Sequence, residues 1–64
     1  MKRAFEIPKG DIVLVGRKKF KKVNNNGEFI SLLPLKAKSL SDGVIMSSLV
    51  KVKQYKFNHW KILD

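Results

Sequence analysis

The apolar positions of this chain fall in short runs, broken every few residues by Gly, Pro, Asn or clustered Lys. Runs of that length bounded by turn formers predict strands rather than helices. Asp11 to Val15 is the clearest: a β-branched run after Pro8-Lys9-Gly10 reads as a buried strand entered from a turn. Phe5 and Ile7 add a short edge strand that Pro8 ends.

Gly16-Arg17-Lys18-Lys19 reads as a turn. Phe20 to Val23 and Phe29 to Leu33 then flank Asn24-Asn25-Asn26-Gly27. Asn-Gly is a strong hairpin signal because both residues tolerate positive φ. A two-residue turn at Asn26-Gly27 pairs Val23 with Ile30 and Lys21 with Leu32, and a three-residue loop pairs Val23 with Phe29. Pro34 ends the second strand. From Leu35 to Gly43 the pattern is ambiguous. Ser39-Leu40-Ser41-Asp42 offers a cap for a short helix, yet Gly43 comes at once. Val44 to Leu49 fits one helical turn no better than a strand.

Leu49 to Leu63 alternates more clearly. Val50 and Val52 interleave with Lys51 and Lys53, Tyr55 and Phe57 flank Lys56, and the phase slips at Gln54, which predicts a bulge. A turn at Asn58-His59 pairs Phe57 with Trp60, Lys56 with Lys61 and Tyr55 with Ile62. That register puts the three aromatics and Ile62 on one face and two lysines on the other.

Four or five short antiparallel strands joined by tight turns make an all-β domain, a small SH3-like or curved-sheet barrel, with one short helix around residues 39–48 as an option. The run from Pro8 to Val15 resembles the opening strand of SH3-like barrels over eight residues, which implies a fold and nothing about function. With 64 residues and 44% hydrophobic positions, residues 1–64 form a single domain with a thin core. A thin core makes either a monomer or a homodimer a natural state. There is no cysteine, so no disulfide and no thiolate metal site is available, as expected in a reducing compartment. The apolar runs Ile12 to Val15 and Phe29 to Leu33 are far shorter than the about 20 residues a membrane helix needs. Met1-Lys2-Arg3 starts like a signal peptide, but Glu6, Lys9 and Asp11 interrupt the stretch where its apolar segment would lie, and a cytoplasmic location is expected.

Charge changes the picture most. The chain carries 14 Lys and Arg against 5 Asp and Glu, a net charge of +9, and Arg3 and Arg17 are its only arginines. Self-repulsion of that size opposes a compact state, and lysine, a hydrated point charge, suits phosphate backbones more than base edges. One cluster is Arg17, Lys18, Lys19, Lys21 and Lys22 at a hairpin tip; another is Lys51, Lys53, Lys56 and Lys61 on the face of a second hairpin. Taken alone, the first cluster reads rather as a solubilising surface loop, and the second also reads as lysines guarding an exposed sheet edge. Together they point to nucleic acid, DNA or RNA. Tyr55 and Trp60, whose polar ends can stay wet, are candidates for stacking on bases, whereas Phe57 is expected in the core.

Catalysis finds no support. Glu6, Asp11, Glu28, Asp42 and Asp64 are scattered, and Ser48-Leu49-Val50-Lys51 matches Ser-x-x-Lys without its partner motifs. Gly10, Gly16, Gly27 and Gly43 are isolated turn glycines rather than a phosphate loop. His59 is expected exposed in a turn, and alone it makes a poor metal ligand. No cofactor or metal is expected. The expected function is a nucleic-acid-binding module. The alternative is a small regulator or inhibitor, of the size a virus or plasmid encodes, docked on an acidic protein partner.

Overall fold

The structure, a computed structural model, describes residues 2–36 and 43–63. It is nearly all β. Seven strands are Lys2–Arg3 (β1), Ile12–Val15 (β2), Lys18–Asn25 (β3), Phe29–Pro34 (β4), Val44–Ser47 (β5), Lys51–Lys56 (β6) and His59–Ile62 (β7). They form one mixed sheet in the order β1-β6-β7-β2-β3-β4-β5. All neighbours are antiparallel except β2 and β7, which run parallel.

The sheet is not closed into a barrel, and it has seven strands rather than the expected four or five. Its two ends are joined by a backbone bond instead of a ladder: the Phe5 amide, just after β1, donates to the Ser48 carbonyl, just after β5, at 3.0 Å. The Ala4 amide donates to the Val50 carbonyl at 2.8 Å and extends the β1–β6 pairing by one residue. The buried Ser48 also donates its hydroxyl to the Gly27 carbonyl at 2.8 Å, tying the β3–β4 turn to the β5–β6 turn.

Ala4–Glu6 is a 3-10 turn, not the edge strand expected around Phe5 and Ile7. In a 3-10 turn positions three apart eclipse, so Ala4 and Ile7 both enter the core while Phe5 stays out. The Arg3 amide donates to the Glu6 carboxylate at 2.8 Å and anchors the start of the turn. Around Val44 the ambiguity resolves to strand β5. The option of a helix over 39–48 therefore fails from Val44 on, and its first part lies outside the described residues.

The core is one cluster of Ala4, Ile7, Val13, Phe20, Ile30, Leu32, Val52 and Trp60. Two sets of buried polar contacts border it. Trp60 Nε1 donates to the Asp11 carboxylate at 2.9 Å. The Lys22 ammonium, on a side chain only 2% exposed, donates to the carbonyls of Ala4, Phe5 and Ile7. Lys22 thereby ties the N-terminal turn over the core side of the sheet.

Candidate functional site

Ladder partners on adjacent strands point to the same side of a sheet, and sides alternate along each strand. The registers therefore line up Lys53, Lys61, Leu14 and Lys19 across β6, β7, β2 and β3. The next row is His59, Ile12, Lys21 and Leu33 across β7, β2, β3 and β4, with Lys56 flanking His59 on β6. Arg3 pairs with Lys51 where β1 meets β6. Val13, Phe20, Val52 and Trp60 take the alternate positions and are buried, so the rows face outward.

Strands lie about 5 Å apart, so Lys53 and Lys61 stand side by side and Lys19 sits about 10 Å from Lys61, across Leu14. Ile12, Leu14 and Leu33 form a half-buried apolar floor between the cations. The outward positions of β2, β3, β6 and β7 hold no carboxylate. Beyond Leu33 the same side opens into a groove of about 570 Å³ whose lining includes Lys9, Asn24, Ser31 and Ile45.

Two hairpin details build this face. Gly16–Arg17 is a two-residue turn that pairs Val15 with Lys18, and Gly16 has φ +64°. Lys18 and Lys19 are thus already in β3, and the basic segment is a rigid ladder rather than the expected loop tip. In the β6–β7 hairpin the turn is Phe57–Asn58, one residue earlier than expected, with Asn58 at φ +61°. Lys56 pairs with His59 and Gln54 with Trp60, leaving Tyr55 as the bulge residue. A bulge residue escapes the alternation. Tyr55 sits on the outward side, its ring edge-on to His59 with centroids 5.9 Å apart. His59 is a half-buried strand residue rather than an exposed turn residue, with Nδ1 2.7 Å from the Phe57 carbonyl oxygen.

Of the residues expected to contact an anion, Lys19, Lys21, Lys51, Lys53, Lys56, Lys61 and Tyr55 share this face. Arg17 and Lys18 are exposed at the β2–β3 turn, but Lys18 is in phase with Phe20 and so on the other side. Lys22 and Trp60 are inside and cannot contact a surface ligand. Burial lowers the Lys22 pKa from the usual 10.5, an effect that attraction to Asp11 only partly offsets. Phe57, expected in the core, is 82% exposed at the turn. The aromatics do not share one face: Trp60 fills the core, Tyr55 is outward and Phe57 caps the hairpin.

Arg3 and His59 join the face without having been expected there. Only the register could reveal them, since Arg3 is far from β6 in sequence and His59 reads as a turn residue. Among the described residues no group of three or more His, Cys, Asp or Glu side chains could hold a metal ion, and no helix is long and apolar enough to cross a membrane. Compared with protein-family models, curated proteins and solved structures, the chain matches none.

Proposed function

We propose that this protein binds nucleic acid through the outward face of its sheet, by contact with the phosphate backbone. The observation that carries this is the register, which gathers Arg3, Lys19, Lys21, Lys51, Lys53, Lys56 and Lys61 onto one side of the sheet. Lys53 is directly opposite Lys61, and like charges across a ladder are destabilising unless an anion lies over them. Lysine rows on an apolar floor supply charge without the fork geometry that reads base edges, so binding depends on charge density more than sequence.

The test is binding to short labelled DNA and RNA over a range of salt. Log K falls linearly with log salt, by about 0.7 to 0.9 per cation engaged. Lys19→Ala and Lys61→Ala each flatten the slope by about that amount. Lys18→Ala, one residue from Lys19 but on the opposite side, leaves it unchanged. Equal effects of Lys18→Ala and Lys19→Ala, or no binding at low salt, would refute the reading.

A second reading, docking on an acidic protein partner, is favoured by β5. Among the described residues this strand has β4 as its only ladder partner and carries no lysine, and Ile45 is 70% exposed. A free apolar edge can accept a strand from a partner, whose acidic residues would meet the cationic face. A complex with an acidic protein that survives nuclease and is lost in Ile45→Pro would support this reading over the first.

A further inference from the structure

We infer that the nucleic acid is single-stranded, with unpaired bases seated on Tyr55 and Phe57 at the end of the lysine rows. This rests on the proposed phosphate-binding face and adds the class of ligand.

The β6–β7 hairpin is the starting point. Its two-residue turn needs only backbone freedom, which Asn58 supplies at φ +61°. Phe57 contributes nothing to that geometry, yet it holds a large apolar ring 82% in water. It is the most exposed of the large apolar side chains among the described residues, and it is not part of the core cluster. The Tyr55 bulge has the same sense. It keeps Val52 and Trp60 inward while turning a 39% exposed phenol ring outward beside Lys56, next to the row that holds Lys53 and Lys61. The Tyr55 ring meets His59 edge-on at 67°, a contact that sets its orientation.

One aromatic ring, Tyr55, therefore stands on the cationic face, and a second, Phe57, is exposed in the adjoining turn next to Lys56. A duplex keeps its base faces stacked inside and offers the protein mainly phosphates. A single strand offers phosphates and open base faces together, the combination that cationic grooves with stacking aromatics accommodate. Stacking is indifferent to base identity, in keeping with a face whose cations are lysines apart from Arg3.

The experiment measures binding of three probes of equal length: an oligothymidine, the same backbone without bases, and a duplex. Expected is tighter binding of the oligothymidine than of the abasic strand. Phe57→Ala and Tyr55→Ala should each weaken the oligothymidine complex about tenfold and leave the abasic and duplex complexes unchanged. Tyr55→Phe, which keeps the ring, should retain affinity and so separate stacking from misfolding. Lys61→Ala should weaken all three. Equal affinity for abasic and base-bearing strands, or an unaffected Phe57→Ala, overturns the stacking inference while leaving the phosphate face standing. Loss of effect in Lys61→Ala overturns the face itself. Exposed aromatics beside lysines also suit anionic lipid. Tight binding to phosphatidylserine vesicles that Phe57→Ala abolishes, with oligonucleotide binding unaltered, would overturn the inference in favour of a membrane surface.

Discussion

Lys22 shows how one residue can be misread when charge is taken as exposure. In sequence it belongs to a run of surface lysines. In the fold it sits in phase with Phe20, and its ammonium has three donors for the carbonyls of Ala4, Phe5 and Ile7. Satisfied hydrogen bonds do not remove the cost of burying charge, which is why its pKa is lowered. Proton binding sets the sign of the effect on stability. Between the lowered folded value and the usual 10.5, the unfolded chain binds more protons than the folded one, so this residue's contribution to stability rises with pH across that window. Below the window both states are charged and the full desolvation cost is present. Comparing the protein with Lys22→Met by urea unfolding at pH 7 and at pH 10.5 isolates the effect, because every other group is common to both proteins. The wild type should gain on the variant as pH rises. A difference that stays flat or shrinks would show that the ammonium is not desolvated.

At the scale of elements, turns decide everything downstream. Gly16 has φ +64°, and a Cβ built there meets nothing within 4 Å, so Gly16→Ala should cost only left-handed backbone strain of about 1–2 kcal/mol. Asn at the same position should cost less, since its side chain tolerates that region. Urea unfolding of both variants checks the order, and an alanine variant as stable as wild type would mean that the turn relaxes to another type. The existence of the strands was legible: β2, β3, β4, β6 and β7 each contain an expected strand, though β3 runs two residues past both expected ends and β7 begins at His59, which reads as a turn residue. The registers were not. In the β3–β4 hairpin Asn26 accepts from the amides of Glu28 and Phe29 and shifts the turn. Asn25 then pairs with Ile30, and a bulge comes at Val23. Lys22 pairs with Leu32 instead of Lys21, and a one-residue slip sends each side chain to the opposite face. The β6–β7 turn moved by one residue in the same way, which buried Trp60 and exposed Phe57. A local sequence window holds the turn chemistry, but the register must also fit contacts between residues far apart in the chain, such as the Trp60–Asp11 hydrogen bond, which no local window contains.

At the scale of the whole molecule, a net charge of +9 is opposed to folding. The pairing of both halves of the chain on one sheet sharpens the conflict, because Lys53 from β6 meets Lys61 from β7 and Lys19 stands one strand beyond Leu14. A surface tuned for stability alone would interleave carboxylates there. The arrangement therefore predicts a trade-off that a merely solubilising surface would not show. Replacing Lys61 by Gln removes cross-strand repulsion worth about 0.2–1 kcal/mol, so the variant should be more stable than wild type at low salt. The advantage should fade as added salt screens the pair over a Debye length of about 10 Å at 0.1 M. The same variant should bind oligonucleotides more weakly and with a shallower salt slope. Thermal unfolding and binding measured over one salt series read both effects together. A Lys61→Gln protein that is less stable at low salt, or more stable with affinity intact, would separate the charge on this face from any use in holding an anion.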